Sequence, residues 1–124
     1  ILIACDTVVK INDSYIGKPK NRKDAKRMLK MLSDSVHFVV SYLAMYDGIH
    51  KKYHYKKVST KVFFDKLTDT EMENYLDTNE YLDKAGGYAV QGKAAPFIKK
   101  IEGDYYNIVG FPLNGFYRLL KEIV

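Results

Sequence analysis

Apolar and polar positions change their period several times along the 124 residues, and each change marks an element. Ile1 to Cys5 is a short continuous apolar run, the signature of a strand covered on both faces, with Asp6-Thr7 next and Val8 to Ile11 extending it. Asn12-Asp13-Ser14 has turn chemistry, and Gly17-Lys18-Pro19 breaks the chain again just before a helix. From Asn21, an apt N-cap, Ala25, Met28, Leu29 and Leu32 recur at helical spacing, while Arg22, Lys23, Lys26, Arg27 and Lys30 take the opposite face. Ser33-Asp34-Ser35 ends that helix. Val36 to Tyr46 is β-branched and aromatic enough to predict a long strand, and Val58, Thr60, Val62 and Phe64 alternate as its antiparallel return. Asp47-Gly48 lies between them, and the lysines that follow suggest a longer, looser connection than a two-residue turn.

Thr68-Asp69-Thr70 opens a short capped helix ending near Leu76. Ala94 to Ile98 reads as one helical turn and Tyr105 to Val109 as a further strand. Pro112 stands in the first turn of a last helix, whose apolar face is Leu113, Phe116, Tyr117, Leu120, Ile123 and Val124. The sum predicts one α/β domain over 1–124, a mixed twisted sheet flanked by helices. Because it opens inside an apolar run, residues ahead of Ile1 are expected to complete the first strand.

Composition narrows the function. With 47% apolar residues, 11 Tyr and 6 Phe, the chain can bury a core. A lone cysteine, Cys5, excludes an internal disulfide and a cysteine-based zinc site; it reads as a small core residue in a reducing, cytoplasmic setting. No apolar run approaches the roughly 18 residues of a membrane helix, so a soluble protein without membrane partners is expected. Twenty basic against 15 acidic side chains leave +5, which attracts polyanions, nucleotide and nucleic acid alike.

Several residues are equipped for chemistry. Asp6, a carboxylate expected just past a buried strand, can hold Mg²⁺ or orient water, or can simply cap a strand-end turn. Lys18 beside a helix start suits an anion, although the tripeptide lacks the spacing of a Walker loop. In Asp83-Lys84-Ala85-Gly86-Gly87-Tyr88 adjacent glycines permit a bend and close approach to a ligand, and Gln91 carries an amide suited to a base edge; the same block can equally end a helix. Lys51-Lys52-Tyr53-His54-Tyr55-Lys56-Lys57 mixes cations and aromatics as single-stranded nucleic acid sites do, and also as a solvated hairpin tip does. A nucleic-acid-binding module using that stretch is the alternative reading. The histidines show no zinc-ligand spacing, and His37 reads as a strand residue with a hydrogen-bond partner.

In order, Ala4-Cys5-Asp6-Thr7-Val8-Val9, Gly17-Lys18-Pro19, the Asp83 to Tyr88 block, Gln91-Gly92 and Gly103 to Leu113 resemble the Maf-like nucleotide pyrophosphatases. The resemblance implies a fold like that of Maf and inosine triphosphate pyrophosphatases, and hydrolysis of a nucleoside triphosphate between its α and β phosphates. It implies Asp6 as catalytic base and ligand of a divalent cation, Mg²⁺ or Mn²⁺. It also implies Lys18, Asp83 and Lys84 as substrate-binding residues, with Thr7 and Gln91 tuning base preference. The Asp-Thr pair with that Gln looks like the branch acting on dTTP and UTP, for which nucleic acid is not the expected partner. Homodimers are common among such proteins, though nothing in these residues demands one. The family's opening strand and Ser/Pro/Arg-rich phosphate loop have no counterpart in 1–124, so residues ahead of Ile1 are expected to complete the phosphate clamp.

Overall fold

The computed structural model describes every residue from Ile1 to Val124. Strand β1 (Leu2–Ile11) turns through Asn12 and Asp13, both at positive φ, into the short β2 (Ser14–Ile16). Helix α1 (Arg22–Leu32) begins at Asn21, whose side chain accepts from Asp24 N, and buries Ala25, Met28, Leu29 and Leu32, the predicted stripe. Strands β3 (Val36–Asp47) and β4 (Lys52–Phe64) form a long antiparallel hairpin. Helix α2 (Asp69–Leu76) has a full capping box between Thr68 and Glu71. Two 3₁₀ turns, Ala85–Gly87 and Ala95–Phe97, precede β5 (Ile98–Glu102), α3 (Tyr105–Val109) and α4 (Leu113–Ile123). No helix is long and apolar enough to cross a membrane.

The sheet runs β2-β1-β3-β4-β5 with helices against it, the α/β class expected; every pairing within these residues is antiparallel, where a mixed sheet was predicted. Alternation puts Thr7, Val9 and Ile11 of β1 and Val39, Ser41, Leu43 and Met45 of β3 on one face. That face carries two cores. Val9, Ile11, Val39, Val62 and Phe64 pack with α1 and α2, while Leu43 and Met45 pack with Leu119 of α4. Thr7 and Ser41 lie in the gap between them.

Five local expectations are corrected. The opening apolar run is not covered on both faces: Leu2 is 72% and Ile1 60% exposed, and Cys5 is an exposed thiol rather than a core residue. β1 is flanked by β3 from Leu2 to Lys10, but β2 covers its other edge only at Val9 to Ile11, so the apolar run lacks a second neighbour. The lysine-rich stretch is not a loose loop, since Lys52 to Lys57 pair directly with Tyr42 to Asp47. Tyr105 to Val109 is helix, because Asp104 accepts from Tyr106 N and Asn107 is drawn inward; the last strand is Ile98–Glu102. The buried stripe of α4 is Gly115 and Leu119, flanked by Phe116, Leu120 and Ile123, leaving Leu113 and Tyr117 exposed.

Candidate active site

Between the two cores lies a cavity of about 310 Å³ floored by Thr7, Val9 and Val39. Lys18 approaches from the turn after β2, the segment Asp83 to Gln91 forms one wall, and Ile108, Val109 and Gly110 at the end of α3 form the other. Five of the six expected site residues, Thr7, Lys18, Asp83, Lys84 and Gln91, therefore meet at one hollow although they span 84 positions of sequence (91 − 7).

The wall is held from behind. Gly86 N donates to Gly17 O at 3.1 Å, which ties the diglycine bend to the turn carrying Lys18. Gly86 sits at φ +73°, and a Cβ there would come 3.1 Å from Val9 Cγ2, so the close approach requires glycine on two counts. Tyr75 donates its hydroxyl to Gly87 O at 2.7 Å, and His37 Nε2 meets the Tyr88 hydroxyl at 2.6 Å within an edge-to-face cluster with Phe64. Burial pushes His37 down to about 4 and raises both tyrosines well above the ordinary phenol range. His37 Nδ1 has no partner, so a second proton there would be an unpaired buried donor. Farther along, Glu80 accepts from Lys93 N at 2.6 Å, and a Cβ at Gly92 would strike that carboxylate. These contacts account for Gly86 and Gly92.

Lys18, Asp83 and Lys84 belong to no ion pair, so the cavity presents two uncompensated ammonium groups and one carboxylate. That balance suits a ligand with several negative charges. No three His, Cys, Asp or Glu side chains cluster as a cation cage. Mg²⁺ is commonly held mainly by substrate phosphates with one or two carboxylates, so such a cage is not what a nucleotide-borne cation requires.

Asp6 stands apart from the cavity lining. It was expected just past a strand end, but Thr7 to Ile11 continue the strand, so Asp6 is mid-strand, opposite Tyr42, and exposed. Strand alternation turns it away from the face of Thr7. It does lie on the stretch of β1 that has a neighbour on one edge only. The Lys51 to Lys57 stretch contributes nothing to the cavity. Ile108, Val109 and Gly110 carried no sequence signal beyond the Gly103 to Leu113 block, and Ser41 carried none: a serine inside an apolar strand looks like any polar break.

The chain matches the family model for Maf-like protein over residues 1–123. It is 46% identical over 123 residues to the dTTP/UTP pyrophosphatase of Clostridium botulinum, a match covering 99% of this chain and 63% of that protein. The proteins of the same name from Clostridium tetani and Clostridium novyi are 46% and 42% identical, each match covering 64% of the relative. The chain thus spans less than two thirds of the length of these relatives. A family match across essentially the whole chain, together with the five motif residues gathered at one hollow, shows that the chain belongs to the Maf-like family.

Proposed function

We propose that the protein hydrolyses nucleoside triphosphates, dTTP and UTP foremost, to the monophosphate and pyrophosphate. The observation that carries this is the convergence of Lys18, Lys84, Asp83, Thr7 and Gln91 on one cavity, in relatives of proteins named dTTP/UTP pyrophosphatase. Lys18 and Lys84 neutralise the phosphate chain and the charge that grows on the departing pyrophosphate. Thr7 and Gln91 face the base. A water oxygen attacks the α phosphorus, the α–β anhydride bond breaks, and the water's proton passes to the Asp6 carboxylate. A divalent cation, Mg²⁺ or Mn²⁺, held by the phosphates with Asp6, would supply further charge neutralisation. Asp6 takes part from the singly flanked stretch of β1, with the triphosphate reaching past the edge of the sheet.

The test is pyrophosphate release from dTTP and UTP by the full-length protein and by Asp6→Asn. Loss of a general base lowers kcat by roughly 10²- to 10⁴-fold. Turnover in Asp6→Asn equal to the unmodified protein removes Asp6 from its role, and no release from any nucleoside triphosphate by the unmodified protein defeats the whole reading.

A further inference from the structure

Ser41 and Thr7 face each other across β1 and β3 and share a 2.7 Å hydroxyl–hydroxyl hydrogen bond. Their surroundings differ. Ser41 is fully buried and Thr7 is its one side-chain hydrogen-bond partner; Thr7 is half-buried and forms part of the cavity floor. Each hydroxyl has one proton to give and lone pairs to accept with, and an orphaned buried proton is costly whereas a spare lone pair is cheaper. Were Thr7 the donor, the Ser41 proton would point into packing without an acceptor. Ser41 as the donor leaves no buried proton orphaned and frees the Thr7 proton for the cavity.

We infer that Ser41 is a positioning residue that fixes Thr7 as a hydrogen-bond donor, so that the cavity selects a pyrimidine whose facing edge carries a carbonyl over one carrying an amino group. Uracil and thymine present an acceptor where cytosine presents the N4 amino donor. A donor held toward that edge accepts the first and meets a second donor in the other. The inference rests on the reading of this cavity as the nucleotide site, and it extends that reading by naming what rejects cytosine nucleotides.

The experiment compares kcat/KM for UTP and CTP in the full-length protein, Ser41→Ala, Thr7→Val and Thr7→Ser, with calorimetric binding of UMP and CMP to the same four proteins. The unmodified protein favours UTP. In Ser41→Ala the Thr7 hydroxyl is free to turn, and the UTP-to-CTP preference falls about tenfold, the worth of one correctly directed hydrogen bond. Thr7→Val loses the same preference, and Thr7→Ser, which keeps the hydroxyl, retains it. A packing role alone for Ser41 would lower Tm and leave the preference unchanged, which overturns the inference, as does an unmodified protein that treats UTP and CTP alike. If no triphosphate is hydrolysed, the activity fails separately: UMP binding favoured over CMP and equalised by Ser41→Ala sustains the donor assignment, and absence of that difference overturns it.

Discussion

Acid should loosen the wall of the cavity through one residue, His37. The ring is fully buried, and its depressed affinity for protons, about 4 against an ordinary 6.5, comes from loss of hydration with no charged partner to offset it. Above pH 6.5 neither the folded nor the unfolded chain protonates this residue, and its contribution to stability is complete. Between pH 6.5 and 4 the unfolded chain takes up a proton that the folded chain refuses, so stability falls as pH falls. At about 1.4 kcal/mol per pH unit the full loss approaches about 3 kcal/mol, most of it present by pH 4.5. Urea unfolding of the unmodified protein and of His37→Gln at pH 7.5, 5.5 and 4.5 measures this. The paired carboxylates Asp24, Asp47, Glu73 and Glu102, held below their ordinary range by hydrogen-bonded partners, destabilise both proteins at the acid end and cancel in the difference. The unmodified protein should lose about 2–3 kcal/mol more than His37→Gln between pH 7.5 and 4.5. Parallel pH curves for the two would show that the buried imidazole does not govern acid stability.

Two further substitutions probe how α3 and α4 are held against the sheet. Asn107 shares its two Nδ2 protons among Val39 O at 3.0 Å, Val58 O at 3.2 Å and Thr60 Oγ1 at 3.1 Å, so Asn107→Ala removes buried hydrogen bonds and should cost about 2–4 kcal/mol in chemical denaturation. An unchanged midpoint would mean that α3 is held by its flanking apolar contacts instead. Gly115→Ala places a Cβ 2.8 Å from Val58 Cγ2, pushing α4 off β4; a loss of roughly 1–3 kcal/mol is expected by thermal unfolding, despite the better helix propensity of alanine. A rise in Tm would contradict the tight packing at that crossing.

Local chemistry made much of the chain legible. Asn21 and Thr68 capped their helices as their side chains dictate, the 3.6-residue stripe of α1 became its buried face, and the alternation in β4 became its register with β3. The site was legible as separate blocks only. Gly17-Lys18-Pro19 and the diglycine segment each admitted a bland reading until the Gly86–Gly17 hydrogen bond joined them at one cavity. Misreadings came where a run of residue types has two uses. Tyr105 to Val109 has strand composition, yet an Asp cap and a buried Asn turned it into helix; Ile1 to Cys5 has the composition of a covered strand, yet β3 is its one neighbour and it stays exposed.

What the residues determined by themselves is whatever depends on near neighbours: caps, turns, face periodicity, and the supply of ammonium, carboxylate, amide and glycine in the motif blocks. What only the tertiary structure decided is which of these meet. The face on which Asp6 lies, the depth of His37, and the direction of the Thr7 hydroxyl follow from register between distant strands. A shift of one residue would reverse each side chain's face, and no neighbouring residue in sequence encodes that register.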